Sequence, residues 1–309
     1  MSKVILTGSS GFIGQHLNSH LKDNGYNVYS ISRNELSDSK MPIKGFFGSQ
    51  YHADADVVIH LVGAAHRKFT DDESSFINFK LTKKVLDRTV ELGIPRFILL
   101  SSVNVYAECD EVISLDTVIN SSKLPNIMQS KLIAEEYVKK VAFEHAVETI
   151  IIRSPLVYGE GVKANFASLM NLVSKGIPLP FGCITNNKRS LVSVDNLVDL
   201  IITCIDHPKA ANQVFLVSDD HYVSTSEMVK EMAIALGKPS WQIPLPAYCY
   251  KLVGKLFDKN DVVDRLTGSL QVDISHTKET LGWTPPQTLQ EGFKKTAEAF
   301  LKSKQSSGK

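Results

Sequence analysis

Three glycines near the start of the chain have the spacing of a phosphate-binding turn. The segment VILTGSSGFIG (4–14) places Gly8, Gly11 and Gly14 between an apolar, strand-like run and the start of a helical pattern. The first glycine permits a tight turn, the second lets the backbone approach a pyrophosphate, and the third allows close packing of helix on strand. The N-terminus of the helix offers N–H groups and a partial positive charge to the phosphates. The pattern therefore predicts dinucleotide binding rather than a turn without a ligand. The other predicted contact residues of this turn are Ser10, Phe12 and Ile13.

The end of the second predicted strand decides which dinucleotide fits. An acidic residue at this position would bind the ribose 2′-hydroxyl and disfavour a 2′-phosphate. The sequence YNVYSIS instead ends on Ser32, which Arg33 follows. A hydroxyl and a guanidinium suit a phosphate dianion through charge-assisted hydrogen bonds. We therefore expect NADP in preference to NAD, the alternative being that Arg33 is an ordinary solvated arginine.

Several longer segments carry a resemblance to a known family. They are GSSGFIG (8–14), IHLVGAA (59–65), LLSSVNVY (99–106), SKLIAEEY (130–137) and RSPLVYGEG (153–161). Together they resemble the extended short-chain dehydrogenase/reductase family of nucleotide-sugar epimerases, dehydratases and reductases, over essentially the whole chain. Residues 162–173, 186–201 and 268–283 are similar to bacterial reductases of UDP-4-keto-6-deoxy-N-acetylhexosamines, which make deoxy amino sugars for surface polysaccharide. The resemblance implies that the cofactor is lined by the loop residues Leu61, Val62 and Gly63.

In that family a Ser or Thr, a Tyr and a Lys carry the chemistry, the last two as YxxxK on one helix. Four residues make about one helical turn, so both side chains point to one face. The resemblance matches Ser102 to the hydroxyl residue, which helps to hold the carbonyl. It matches Lys131 to the lysine, which binds the cofactor ribose and lowers the pKa of the phenol. The tyrosine position holds Ile127, and no YxxxK occurs in the chain.

The isoleucine removes the group that would exchange a proton with the substrate. Losing a positioned general acid costs about 10²–10⁴ in rate. Three explanations stay open: an inactive variant, a different donor, or a local shift that brings another tyrosine into the site. Tyr106, which follows Ser102 in the sequence, is the nearest candidate donor, with a structural tyrosine as the alternative.

The substrate is expected where the strands of the predicted sheet end, because ligands of open α/β sheets bind outside the carboxyl ends of the strands. RSPLVYGEG leaves such a strand end and leads to Lys163 and Asn165, which by resemblance face the nucleotide-sugar. Arg189 resembles the family's contact to the substrate pyrophosphate, and Arg265 is a candidate second cation. The alternative for each cation is an ordinary surface charge. Asn78 resembles a family asparagine beside the cofactor, with a structural role as its alternative.

The elements that must position these residues alternate between strand and helix. Short β-branched runs separated by helical stretches indicate βαβ units, and therefore an α/β fold with a doubly wound, Rossmann-type parallel sheet. The predicted strands of the first half are Val4–Thr7, Asn27–Ser32, Val57–Val62, Phe97–Ser101 and Thr149–Arg153, and the predicted helices are 12–24, 73–93 and 128–146. The later predicted strands are Leu191–Val194 and Val214–Val217, and the later helices are 195–206, 225–237, 245–257 and 288–302. We expect residues 1–160 to form the NAD(P)-binding domain and residues 161–309 to form mainly a smaller substrate lobe, with some later segments returning to the first domain.

Composition narrows the classes of function. The 309 residues include 34 Lys+Arg and 33 Asp+Glu, and this balance argues against a nucleic-acid groove or a basic membrane-binding face. No apolar run approaches the roughly 20 residues of a spanning helix, and the first residues do not have the pattern of a secretory signal. The four cysteines lack CxxC spacing, which is typical of reduced thiols rather than of disulfides or a metal site. We therefore expect a cytoplasmic protein without membrane insertion.

Three hypotheses about function follow. The first is an NADP-dependent reductase that delivers hydride to C4 of a UDP-4-keto sugar, with Ser102 orienting the carbonyl and Lys131 holding the ribose. The second is a nucleotide-sugar 4-epimerase, which needs a base as well as an acid, so that Ile127 weighs more heavily against it. The third is a catalytically silent protein that binds a dinucleotide or a sugar nucleotide. By resemblance we also expect a homodimer formed through two helices of each copy, including 128–146.

Overall fold

The computed structural model describes residues 2–32, 40–42, 46, 54–64, 70–106, 111–246, 248–250 and 260–307. Within these residues, the main sheet has seven strands, all parallel, in the order β10-β7-β5-β4-β1-β2-β3. The strands of this sheet are β1 (Lys3–Thr7), β2 (Asn27–Ser32), β3 (Lys40–Pro42), β4 (Val57–His60), β5 (Arg96–Ser102), β7 (Glu148–Ser154) and β10 (Gln213–Leu216). The order reverses direction between β1 and β4, which is where ligands of doubly wound sheets bind. The predicted Rossmann-type fold is confirmed.

Helices cover both faces of this sheet. They are α1 (Phe12–Asp23), α2 (Asp71–Ser75), the π-helical segment Phe76–Lys80, α3 (Leu81–Glu91), α4 (Asn126–Glu144) and α6 (Val194–Asp206). Successive residues of a strand point to opposite faces, so each strand contributes to two cores. In β1, Val4 and Leu6 belong to the core that includes α1 and α6, whereas Ile5 belongs to the core that includes α3 and α4.

A third core lies in the C-terminal part of the chain. Its elements are the strands β8 (Leu156–Tyr158), β9 (Arg189–Ser193) and β11 (Tyr222–Val223) and the helices α5 (Ala164–Val173), α7 (Thr225–Ala235), α8 (Asn260–Thr267) and α10 (Leu289–Ser307). The rings of Tyr158, Phe166 and Phe293 stack at its centre, with centroids 4.9–5.8 Å apart. This lobe starts directly after β7, so its first residues leave the carboxyl end of the main sheet.

The two halves of the sequence are interleaved. Strand β6 (Val112–Ile113) pairs with β12 (Gln271–Val272), which precedes α9 (Ser275–Leu281). Helix α6 and strand β10 come from the second half of the chain and belong to the main sheet and its cover.

The observed elements differ from the predicted ones mainly at their ends. Strand β4 ends at His60 rather than at Val62, and the predicted helix 73–93 is divided by the π-helical segment. Helices α5, α8 and α9 were not predicted, because their apolar residues do not repeat over enough turns to stand out from a loop. The predicted helix 245–257 lies mostly outside the described residues.

None of the helices in the described ranges combines the length and the apolar character that crossing a bilayer requires.

Candidate active site

The glycine turn joins β1 to α1 through contacts that only glycine allows. Gly8 has a positive φ of 80°, and its carbonyl accepts a hydrogen bond from the N–H of Gly11 (3.0 Å). A Cβ on Gly14 would lie 2.1 Å from the carbonyl oxygen of Gly8, closer than any side chain can approach. The first glycine therefore makes the turn, and the third lets α1 pack directly on it.

The start of α1 is suited to bind an anion. No side chain caps its N-terminus at Gly11, and its first turn carries no acidic residue. The buried hydroxyl of Ser9 has no hydrogen-bond partner among the described residues. Free N–H groups, a helix dipole and an unpaired hydroxyl are what a pyrophosphate would satisfy, so these residues fit a dinucleotide. When bound, such a nicotinamide cofactor supplies hydride transfer.

The glycine turn contacts the end of β2 and the cofactor loop, which is the segment after β4 that holds the predicted cofactor residues Leu61, Val62 and Gly63. The N–H of Gly8 donates to the carbonyl of Ile31 (3.3 Å), one residue before Ser32 at the end of β2. A Cβ on Gly8 would lie 3.2 Å from the backbone of Leu61 and Val62, so the loop after β4 packs on the turn. The side chain of Ser32 and the whole of Arg33 lie outside the described residues, and the NADP prediction that depends on them stays a prediction.

Lys131 lies on the far side of the same loop. A Cβ on Gly63 would lie only 2.9 Å from Lys131 Nζ, so the absence of a side chain there makes room for the ammonium group. Burial lowers the pKa of Lys131 to about 8, against a smaller opposing effect of Glu135. With Asn78 and Ser101, Lys131 lines a small cavity at the ends of β4 and β5. The predicted cofactor residues Val62 and Gly63 and the predicted catalytic residue Lys131 thus lie together.

Asn78 fixes the relative position of the loop and α4. It lies on the π-helical segment, and its Oδ1 accepts from the N–H of Ala64 (2.8 Å). Its Nδ2 donates to the carbonyl of Ile127 (3.2 Å) and to Ser130 Oγ (3.0 Å). Because its three partners Ala64, Ile127 and Ser130 surround Lys131, Asn78 is a central residue of the site. Its resemblance to a family asparagine is the only signal for it in the sequence.

The two candidate hydroxyl residues of β5 differ. Ser102 is partly buried at the end of the strand, and its Oγ accepts from the N–H of Asn104 (3.2 Å). Ser101 is buried, and its hydroxyl has no hydrogen-bond partner within the described residues. Ser101 lines the cavity beside Lys131 of α4, together with its neighbours Leu99 and Leu100.

Tyr106 is not placed as a proton donor. Its side chain is 3% exposed, and its hydroxyl accepts a hydrogen bond from Arg153. Burial raises the pKa of Tyr106, and Arg153 opposes this effect. Arg153 in turn binds Glu135, with Nη2 2.5 Å from Oε2, in a fully buried ion pair. The geometry favours the structural alternative for Tyr106, because its hydroxyl accepts from the arginine of the buried ion pair.

His60 is a buried structural residue between two parts of the site. One ring nitrogen lies 2.7 Å from Thr7 Oγ1 at the end of β1, and the other lies 3.1 Å from Thr82 Oγ1 on α3. Burial, and to a smaller extent the charge of Lys131, lowers the pKa of His60 to about 3. The imidazole is therefore neutral and takes no part in proton exchange near neutral pH.

The predicted substrate residues lie in the C-terminal lobe. Lys163 precedes the first residue of α5 without capping it through its side chain, and both it and Asn165 are exposed. Arg189, the first residue of β9, donates from Nη1 to the carbonyl of Gly268 (3.2 Å). Arg265 lies on α8, and its side chain is outside the described residues. A role in binding a diphosphate stays a prediction for all four.

The parallel sheet, the glycine turn at its switch point and the lysine beside the cofactor loop define a class of dinucleotide-binding enzymes. The chain belongs to the NAD dependent epimerase/dehydratase family, whose sequence profile matches residues 4–218. It is 50% identical to the UDP-glucose 4-epimerase of Vibrio cholerae, over 97% of this chain and 96% of that relative.

Solved structures support the fold. The UDP-N-acetylglucosamine 4-epimerase of Bacillus cereus superimposes with a TM-score of 0.80 at 17% identity, covering 98% of this chain and 100% of that one. MoeE5, determined in complex with UDP-glucuronic acid and NAD, superimposes with a TM-score of 0.76 at 24% identity, again over 98% and 100% of the chains. The predicted family is confirmed, and the relative from Vibrio cholerae favours the epimerase alternative over the reductase.

Proposed function

We propose that this protein is a nucleotide-sugar 4-epimerase that uses a tightly held nicotinamide dinucleotide to invert C4 of a UDP-hexose. One structural observation supports this most strongly: Lys131 Nζ lies against Gly63, on the loop that also packs on the glycine turn. The glycine turn and the lysine of α4 therefore contact the same loop. The identity of 50% to a UDP-glucose 4-epimerase supports the choice of reaction.

Each residue has a defined task in this proposal. The backbone at Gly8–Gly14 binds the pyrophosphate of the cofactor, and Lys131 binds its ribose. Ser102 donates a hydrogen bond to the sugar O4 and orients C4 toward the cofactor. Lys163, Asn165, Arg189 and Arg265 bind the diphosphate and sugar of the substrate, because cations neutralise buried phosphate charge.

A reductase acting on a UDP-4-keto-6-deoxy-N-acetylhexosamine is the second candidate. Ile127 favours it, because a reduction needs only an acid at O4, whereas an epimerisation needs an acid and a base. In that case the product enters the synthesis of surface polysaccharide, and NADP is the expected cofactor through Ser32 and Arg33. Arg33→Ala tests this cofactor preference: the ratio of NADPH to NADH affinity falls if Arg33 binds a 2′-phosphate and is unchanged if it does not.

Two assays on the native chain separate the candidates. The first supplies UDP-glucose with NAD or NADP and follows the appearance of the C4 epimer by ¹H NMR. The second supplies a UDP-4-keto-6-deoxy-N-acetylhexosamine and follows NADPH consumption at 340 nm. Epimer formation supports the proposal, and NADPH consumption alone replaces it with the reductase. Binding of both ligands by calorimetry with neither reaction identifies a silent binding protein.

Cytoplasmic location and a homodimer stay predictions, and sedimentation at several concentrations tests the dimer.

A further inference from the structure

The first turn of α4 retains its backbone geometry and lacks only the expected phenol. The carbonyl of Ile127 accepts hydrogen bonds from Asn78 Nδ2 (3.2 Å) and, within the same turn, from Ser130 Oγ (2.9 Å). Because Asn78 Oδ1 also accepts from the N–H of Ala64, Asn78 links this turn to the cofactor loop. The side chain of Ile127 can neither give nor accept a proton. An epimerase of this fold therefore needs another titratable group within reach of the sugar O4.

We propose that the ε-amino group of Lys131 exchanges the proton with the reacting sugar oxygen, in addition to its contact with the cofactor. This inference rests on the proposed function. Lys131 lies one helical turn after Ile127, so both side chains project from the same face of α4. Its Nζ reaches Gly63 at the carboxyl end of β4 and faces the small cavity that Ser101 and Asn78 also line.

The nearest carboxylate does not hold Lys131 in its charged form. Glu135 lies one turn further along α4, but Arg153 binds both of its oxygens, with Nε 3.2 Å from Oε1 and 3.1 Å from Oε2. Among the described residues no acidic group forms an ion pair with Lys131. An ammonium group without a paired anion, at a partly buried position such as that of Lys131, loses its proton more readily than one in water.

Of the described titratable groups that surround Lys131, none competes with it for a proton near neutral pH. On α4, Glu135 is balanced by Arg153 of β7. On β4, His60 stays neutral because its pKa is about 3, and beside β7 the pKa of the Tyr106 phenol is raised by burial. Burial lowers the pKa of Lys131 to about 8, so amine and ammonium forms are both populated between about pH 7 and 9.

The proton and electron balance of the step is simple. In the oxidative half, the C4–H bond breaks and its hydrogen leaves as hydride to the oxidised cofactor. The O4–H bond breaks at the same time, its electrons form the C4=O double bond, and its proton goes to the neutral amine of Lys131. In the reductive half, hydride returns to the opposite face of C4, and the ammonium group gives the proton back to O4. No further oxidant or reductant is consumed.

Competitive chemical labelling tests the inference without any turnover. Trace acetic anhydride is applied to the native protein between pH 6 and 11, and acetylation of each lysine is read by mass spectrometry. Lys139, exposed on the same helix, is the internal reference for loss of reagent. We expect Lys131 labelling to reach half of its maximum near pH 8, well below the ordinary value of about 10.4. A midpoint above pH 10 overturns the inference.

Substitution by arginine separates charge from proton exchange. Lys131→Arg keeps a cation that can bind the cofactor ribose, but a guanidinium does not release its proton near neutral pH. We expect NAD(P) affinity within about fivefold of the native protein by calorimetry and a loss of turnover of about 100-fold or more, the size of a general acid–base effect. Lys139→Arg is the matched control and leaves both unchanged.

The outcomes distinguish the inference from the function on which it depends. Native turnover with an equally active Lys131→Arg overturns the role of Lys131 and leaves the epimerase in place. A native chain that binds NAD(P) and the UDP-sugar but converts nothing overturns the proposed function, and with it the role assigned to Lys131.

Discussion

The glycine turn and the first turn of α4 face the same loop, yet they differ in completeness. At the turn, each of Gly8, Gly11 and Gly14 occupies a position where its lack of a side chain is used. On α4, Lys131 and the backbone around Ile127 are in place, but the phenol is absent. Cofactor binding depends on backbone shape, whereas proton exchange depends on one side chain. The two functions can therefore be lost or replaced separately.

The largest expected effect on stability comes from breaking the buried ion pair between Arg153 and Glu135 of α4. Arg153→Met leaves Glu135 fully buried without a partner, and breaking such a pair costs about 3–5 kcal/mol. The free energy of unfolding in urea measures this loss. The double variant Arg153→Met/Glu135→Leu is the control, and we expect it to recover most of the stability because no charge stays buried. If the double variant is as unstable as the single one, the ion pair is not what supports this region.

Gly14→Ala disrupts the glycine turn. The added methyl would lie 2.1 Å from the Gly8 carbonyl oxygen, so α1 must move away from the turn. We expect NAD(P) affinity by calorimetry to fall at least about 100-fold, or about 2.7 kcal/mol. Ser19→Ala, at an exposed position of the same helix, is the matched control and keeps native affinity. Unchanged affinity in Gly14→Ala would contradict the assignment of the turn.

Ile127→Tyr restores a phenol on the first turn of α4. A positioned general acid contributes about 10²–10⁴ in rate, and because Lys131 already exchanges the proton we expect a smaller gain of about 10- to 100-fold in turnover. Cofactor affinity stays unchanged, since the glycine turn is untouched. Ile127→Phe supplies the ring without the hydroxyl, and a gain of equal size in that variant would show that packing rather than proton exchange is responsible.

His60 lies between the end of β1 and α3, and its titration predicts a smaller effect on stability. Its pKa in the folded protein, about 3, is below the value of 6.5 expected when the chain is unfolded, so the unfolded chain binds a proton that the folded chain does not. The contribution is therefore complete above about pH 6.5 and decreases as the pH falls. Between pH 7 and pH 5 we expect a loss of about 2 kcal/mol from this residue.

The variant His60→Gln tests this contribution of His60 to the pH dependence of stability. The amide can still bond to Thr7 and Thr82, which now contact the two ring nitrogens, but it does not titrate. The free energy of unfolding of the variant should change less between pH 7 and pH 5 than that of the native protein, by about 2 kcal/mol. Equal slopes for the two proteins would mean that His60 is not held neutral.

Local patterns predicted much of the fold and of the cofactor cradle. The βαβ alternation predicted the parallel sheet, because each strand and helix is specified by its own run of residues. The glycine turn was equally readable, since its geometry depends on residues only three apart. Resemblance further marked Lys131 and the change at position 127. These features need no knowledge of distant parts of the chain.

The sequence alone predicts a dinucleotide-binding turn and matches Lys131 to the lysine of the family, with isoleucine rather than tyrosine four residues before it. Only the tertiary structure decided the surroundings of that lysine. Arg153 reaches Glu135 across 18 positions, and Asn78 reaches Ile127 across 49. Such contacts are set by how strands and helices pack, and no local spacing encodes them. Whether an ammonium group is buried, paired or free to lose its proton is therefore a property of the folded chain.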